Sequence, residues 1–315
     1  MPMQKYFTQK YYSDKRHNTA TRTKALFALG WVSILWGTSW LASKKGVEHM
    51  PALQLAGIRQ LIAGSIFVIF FLLRKQTLPR GRQWIHILIL SLLNFMLSNA
   101  LSTWGIKYIS SGLGSIMSAI FPLWLVIISM FKGRHLPARA LIGMILGFSG
   151  VCIIFYEHLH DFLNADFRFG IFLSLTATLT WAIGTLYTKE QALSFNPYYS
   201  LGFQMLISGT ALFIISEVTG LAIPIKDIPA TSWWAISYLV VFGSVLTFVA
   251  YLYALQNLPS ALTSIYAYIN PIVAVLLGAA ILNEKLSIFI AVGGAITILG
   301  VYLVNNSLRK INTDH

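Results

Sequence analysis

Trp36 and Trp181 stand 145 residues apart, each near the middle of a long apolar run, and hydrogen-bonding side chains occupy similar depths. Ser39 follows Trp36 by three residues and so shares its helix face. Asn94 and Asn99 interrupt a third run, Ser118 precedes Pro122, Tyr251 and Tyr253 lie in a later run, and Tyr266, Tyr268 and Asn270 precede Pro271. Indole and phenol faces stack on apolar or planar groups, while hydroxyls and amides orient polar ones. Trp36, Ser39, Asn94, Ser118, Trp181, Tyr251, Tyr268 and Asn270 are therefore read as the lining of a cavity that holds a small organic molecule without covalent chemistry. For each residue singly, packing or interhelical hydrogen bonding is the competing reading. Arg59 is the one basic residue well inside a run. It could anchor a carboxylate or phosphate, or snorkel outward and bond helix-end carbonyls. Pro122 and Pro271 each free a carbonyl one turn earlier and bend their helix.

Other chemistries lack their residues. The sequence contains no HExxH and no Walker loop, and no Asp or Glu lies well within an apolar run; Glu217 sits only at an edge. No catalytic residue, metal ligand or cofactor is expected. A membrane-embedded enzyme or a channel would need features that are not seen here. His86 lies near the end of its run, so no proton or sodium site is visible. The one cysteine, Cys152, allows no disulfide within the chain and is expected to be a small core residue.

The elements that position these groups follow from hydropathy. The 315 residues are 56% hydrophobic and 10% charged, against about 25% charged in a soluble domain. Such a chain has lipid as its solvent. Apolar runs long enough to cross a bilayer fall at 25–43, 53–73, 84–104, 109–131, 140–156, 169–188, 198–217, 233–254, 260–282 and 288–304. The fold class expected is an all-α polytopic membrane protein with ten transmembrane helices. The first run has no clear cleavage site after it and is read as an uncleaved span.

The chain also repeats itself. A shift of 145 carries Trp36 onto Trp181, Lys44 onto Lys189, Gly57 onto Gly202 and Gly64 onto Gly209; a shift of 149 carries Pro122 onto Pro271. Gly143 then falls on Gly293 and Gly150 on Gly300. Each copy holds five spans, an odd number, so the two copies enter the bilayer in opposite senses, as in inverted-repeat transporters. The organisation expected is a tail at 1–24, a first repeat at 25–156, a linker at 157–168, a second repeat at 169–304 and a tail at 305–315. Gly143, Gly147 and Gly150, with Gly293, Gly294 and Gly300, put small residues at helical spacing in spans five and ten. This suits close helix packing, or alternatively a homodimer face; monomer and homodimer both stay open.

Net charge +13 could suggest nucleic acid, but its distribution excludes that partner. Alternating the polar segments between two sides puts sixteen of the 23 Lys and Arg on the side of the N-terminus, among them Lys5, Lys10, Lys15, Arg16, Lys132 and Arg134. The positive-inside bias then predicts a multi-pass protein with both termini cytoplasmic, and the basic side also suits anionic lipid headgroups.

The strings "LGWVSILWGTSWLASKKG", "ALQLAGIRQLIAG" and "YALQNLPSALTSIYAYINPIVAVLLGAAILNEKLSIFIAVGGAITILGVYLV" resemble the drug/metabolite transporter superfamily, specifically EamA-type bacterial permeases with two EamA repeats. The resemblance covers 25–304. It implies ten helices, a bacterial inner-membrane location, a central cavity and alternating-access transport of small metabolites such as amino acids, often outward. Carriers of phosphorylated solutes or nucleotide-sugars are the nearest alternative, though they would want several basic cavity residues. Relatives carry a glutamate after the proline-containing span of each repeat. Glu284 supplies it in the second copy, whereas the first has Arg134-His135.

Overall fold

In lipid every backbone polar group must be satisfied within the segment, which leaves helices for an apolar chain of this pattern. The computed structural model describes residues 19–131, 138–191, 195–258 and 266–311. Lys5, Lys10, Lys15, Arg16, Lys132, Arg134 and His135, and the expected start of the ninth span at 260–265, lie outside them. Among the described residues ten apolar helices form, one on each expected run. They are α1 (Thr19–Val47), α2 (Ala52–Leu73), α3 (Arg82–Gly105), α4 in two pieces (Ser111–Ala119 and Phe121–Phe131) and α5 (Ala138–Glu157). The second five are α6 (Ala165–Gln191), α7 (Pro197–Val218), α8 (Ala230–Asn257), α9 (Tyr266–Leu282) and α10 (Ile288–Ile311). Local signals set their starts. Ser110 Oγ accepts from Leu113 N at α4, Asn196 Oδ1 from Tyr198 N and Tyr199 N at α7 with Pro197 in its first turn, and Ser287 Oγ from Ile290 N at α10.

The bundle wears its apolar residues outside. Phe27, Leu73, Phe131, Val218 and Trp234 are all exposed, as a lipid-facing surface requires and a water-facing one does not tolerate. Cys152 lies on this exposed face of α5, not in the core; as a small apolar thiol it is as comfortable against lipid as against protein.

Inversion is visible where helices cross. A Cβ on Gly57 would meet Phe213 N at 3.0 Å and Gly209 O at 3.3 Å, and one on Gly64 would meet Leu206 N at 2.7 Å and Gly202 O at 2.8 Å. The repeat exchanges these two contacts, so α2 and α7 cross antiparallel about a local two-fold. The pair α5 and α10 does the same: Gly143 lies against Gly300, and Gly150 against Gly293. The glycine stripes thus pack the two halves of one chain together, with backbones as close as small residues permit.

Two features were not visible in the sequence. Ser91–Ala100 within α3 and Leu239–Leu246 within α8 are wound as π-helix, and the repeat superposes them. Widening a helix leaves carbonyls without their usual donors, and side chains from neighbouring positions supply substitutes. Gln60 Nε2 donates to Phe95 O at 3.3 Å in the first segment. Trp36 Nε1 donates to Gly243 O at 3.2 Å and Thr247 Oγ1 donates to Phe242 O in the second. The two prolines also differ. Pro271 lies within continuous α9, whereas α4 breaks at Ile120 and Pro122 enters the first turn of its second piece, where a missing N–H costs nothing.

Candidate functional site

Trp36 is the hub of the bundle centre. Its ring lies 5.0 Å from Tyr266, 5.1 Å from Tyr251, 5.3 Å from Phe248 and 6.4 Å from Trp181, mostly edge to face. Helices α1, α6, α8 and α9 therefore meet through aromatic rings, an arrangement favoured by the ring quadrupoles. Beside this cluster runs a cavity of about 1010 Å³, mouth included. It extends from Arg59, Trp36 and Asn270 at mid-bundle toward the end where Ser43, Ser102 and Ile106 lie. This is the Glu284 end of the molecule, where Lys44 Nζ donates to Ile106 O and Ile109 O, both at 2.8 Å.

Trp36, Ser39, Asn94, Ser118, Trp181 and Asn270 all line this cavity, and so does Arg59. Tyr251 does not: it faces a second, smaller pocket beyond the aromatic cluster. Tyr268 faces neither. It packs with α10, its hydroxyl donating to Val301 O at 3.2 Å, and Tyr266 takes the cavity position instead. The reason is helical phase: residues two apart point to nearly opposite faces, while Tyr266 and Asn270 are four apart and share one. Pro122 and Pro271 are buried and line neither cavity. With its amide nitrogen turned toward α1, Asn270 donates to Ser33 O at 2.6 Å and Tyr266 O at 3.2 Å, so it also ties α9 to α1. The Asn94 amide oxygen is buried against Gly184, with no donor to it among the described residues.

The hydroxyl wall was missed: Ser98, Ser102 and Thr103 of α3 and Ser174 and Thr178 of α6 also face the cavity. Asn94, Ser98 and Ser102 recur every four residues, a polar stripe that helical periodicity alone could have revealed. Arg59 is 5% exposed and does not snorkel. Its Nε donates to Ser244 Oγ at 2.9 Å, in the second π-helical segment. Its repeat mate Gln204 lies against the first, where Ser91 Oγ donates to Gln204 O at 2.9 Å.

The two pockets are related by the repeat. The shifts of 145 and 149 carry Trp36, Trp40, Ser43 and Arg59, then Asn99, Ser102 and Thr103, onto Trp181, Thr185, Thr188 and Gln204, then Phe248, Tyr251 and Leu252. The former residues line the cavity and the latter the small pocket, toward the Pro197 end. Asn94, Trp181 and Phe248 stand in the wall of both.

Ten lipid-facing helices around a polar and aromatic cavity define an integral membrane transporter, and comparison with known proteins agrees. The model of the EamA-like transporter family matches residues 23–156 and again 168–306, so the chain belongs to that family. It is a transporter and not an enzyme. An uncharacterized inner membrane transporter of Escherichia coli strain K12, YedA, is 32% identical over 265 residues, covering 84% of this chain and 83% of its own. An uncharacterized transporter of Archaeoglobus fulgidus is 28% identical over 284 residues, covering 90% and 97%. One protein of known crystal structure, 16% identical, aligns with a TM-score of 0.63 over 90% of this chain and 97% of its own, a likeness of fold.

Proposed function

We propose that the chain is a bacterial inner-membrane carrier that exports small organic metabolites such as amino acids by alternating access. Two repeats, 25–156 and 169–304, rock about the aromatic cluster, with the linker 157–168 outside and the tails 1–24 and 305–315 in the cytoplasm. The observation that carries this reading is the pair of repeat-related pockets on opposite sides of Trp36, Trp181 and Phe248. In an inverted-repeat carrier the halves exchange conformations, so the vestibule open on one side has a collapsed counterpart, built from mate residues, on the other. The large cavity and the small pocket stand in that relation. The aromatic lining suits organic solutes better than bare ions.

Counterflow in proteoliposomes across a metabolite panel tests it. At least one solute is expected to cross faster than in empty vesicles. Trp36→Ala and Trp181→Ala, compared at equal folded protein, are expected to slow it by up to ~10-fold, since each removes an aromatic face whose stacking on the solute contributes about 0.5–1.5 kcal/mol. No accelerated solute under any gradient would remove the carrier reading. Unchanged rates in both variants would move the site elsewhere. For orientation, a reporter fused to the C-terminus is expected to be active in the cytoplasm; periplasmic activity would reverse the topology.

A further inference from the structure

We propose that Arg59 is the recognition point for a single carboxylate on a solute with a flat apolar body. The inference rests on the carrier reading for its biological sense, but its geometry stands apart from it. Arg59 is 95% removed from solvent by its 5% exposure, and it lies in the wall of the large cavity. Its Nε is held by Ser244 Oγ at 2.9 Å. Among the described residues no carboxylate pairs with it. A guanidinium removed from water without a counter-charge is costly, and an anion entering the cavity supplies the missing partner.

The surroundings shape that anion. Nη2 lies beside Gly243, where an added Cβ would stand 3.5 Å from it and 2.9 Å from Ser39 Oγ. The glycine thus keeps open the space between guanidinium and hydroxyl, and its own carbonyl is already engaged by Trp36 Nε1. With Nε taken, the Nη groups remain to face the ligand, and a planar fork matches a planar carboxylate. Among the described residues Arg59 is the only charged one lining the cavity, and its mate in the small pocket is the neutral Gln204. One positive charge balances a carboxylate, whereas a phosphate dianion would call for more. Trp36, Trp181 and Phe248 flank the same space and favour a flat apolar body.

Three probes that share a phenyl ring separate the charges: 3-phenylpropionate, phenethylamine and phenyl phosphate. Binding to the purified full chain in detergent is read by quenching of tryptophan fluorescence, and transport by uptake into proteoliposomes. The wild type is expected to bind 3-phenylpropionate at least ~10-fold more tightly than either other probe, the scale of one charge-assisted hydrogen-bonded pair. Arg59→Gln, which installs the residue of the other repeat, is expected to lose that preference while eluting as the wild type does. Arg59→Lys, which keeps the charge but not the fork, should fall between. Absent binding of 3-phenylpropionate, equal binding of phenethylamine, or tighter phenyl phosphate overturns the proposal. So does a folded Arg59→Gln protein that keeps the preference. The wild-type ranking decides even if a variant fails to fold. Binding with this ranking but no accelerated transport of any panel solute upholds the anion site and removes the carrier reading; transport without the ranking does the reverse.

Discussion

Gly150→Ala is expected to destabilise the protein, and Gly150→Val to prevent recovery of folded, monodisperse material from detergent. The sign of the first is the informative part. In a helix interior, Gly to Ala is ordinarily stabilising by about 1 kcal/mol, because glycine gives up more backbone freedom. At Gly150 an added Cβ would stand 2.5 Å from Gly293 O and 2.5 Å from Thr297 N, both backbone atoms of α10. Neither can rotate away, so the helices must separate along their whole contact. Overpacking of this kind costs about 1–3 kcal/mol or more, which outweighs the propensity gain. The closely packed α5 and α10 would then lose the Thr297 Oγ1 to Gly147 O contact, 3.5 Å long, that spans them. Gly30→Ala is the control: nothing lies within 4 Å of its Cβ position, and it is expected to be neutral or stabilising. Thermal unfolding followed by light scattering and size-exclusion profile measures both. If Gly150→Ala melts at or above the wild type, the α5–α10 crossing described here is wrong.

How far the sequence foretold this molecule depends on which physical rule each residue obeys. Ten helices were legible because bilayer thickness fixes how long an apolar run must be. The inverted pair was legible because two strings match and each holds an odd number of spans. Arg59, Trp36 and Trp181 stood out because polar and amphipathic groups at depth are costly unless they face protein or a cavity. What remained hidden is local geometry without a residue-type signal. The π-helical stretches Ser91–Ala100 and Leu239–Leu246 carry no proline and only one glycine. They depend on Gln60 and Trp36, which reach in from other helices to satisfy their carbonyls. Tyr268 and Tyr266 differ only in phase, since the i, i+4 relation to Asn270 alone separates two tyrosines that stand two residues apart. Ser102 and Thr178 were passed over because a hydroxyl in a membrane helix can always bond its own preceding turn, as Thr178 does with Ser174 O at 2.9 Å. Nothing in such a residue's type tells which side it faces.

Glu284→Ala is expected to be the most damaging single change at a charged residue among the described helices and their links. The chain leaves α9 through Asn283, whose φ of 53° is the left-handed turn common at helix ends. That turn brings Glu284 N to Gly278 O at 3.1 Å and aims the carboxylate at the first residues of α4. There it accepts from Ser111 N at 2.7 Å, Ser111 Oγ at 2.9 Å and Gly112 N at 3.2 Å. A carboxylate at a helix N-terminus also meets the positive end of the helix dipole. Hydrogen bonds to a charged group contribute about 1.5–3 kcal/mol each, and leaving buried donors unpaired adds a desolvation cost. A loss of about 2–4 kcal/mol overall is expected for the alanine variant, allowing for non-additivity within one cluster. Glu284→Gln keeps the shape and one acceptor and is expected to lose roughly half as much. The contact can also be broken from the other side. A Cβ on Gly278 would stand 2.5 Å from Glu284 Oε2 and 3.0 Å from Ser111 Oγ, so Gly278→Ala should displace the carboxylate and copy the alanine phenotype with Glu284 intact. Denaturation midpoints in one detergent, for the wild type and the three variants, read the series. A Glu284→Ala protein within about 0.5 kcal/mol of the wild type, the range of an ordinary surface change, would mean that this carboxylate does not hold α4. The same cap joins the second repeat to the first at the end where the large cavity lies. The first copy has Arg134 in place of the glutamate, and removal of the Glu284 carboxylate should weaken the α9–α4 end of the transporter first.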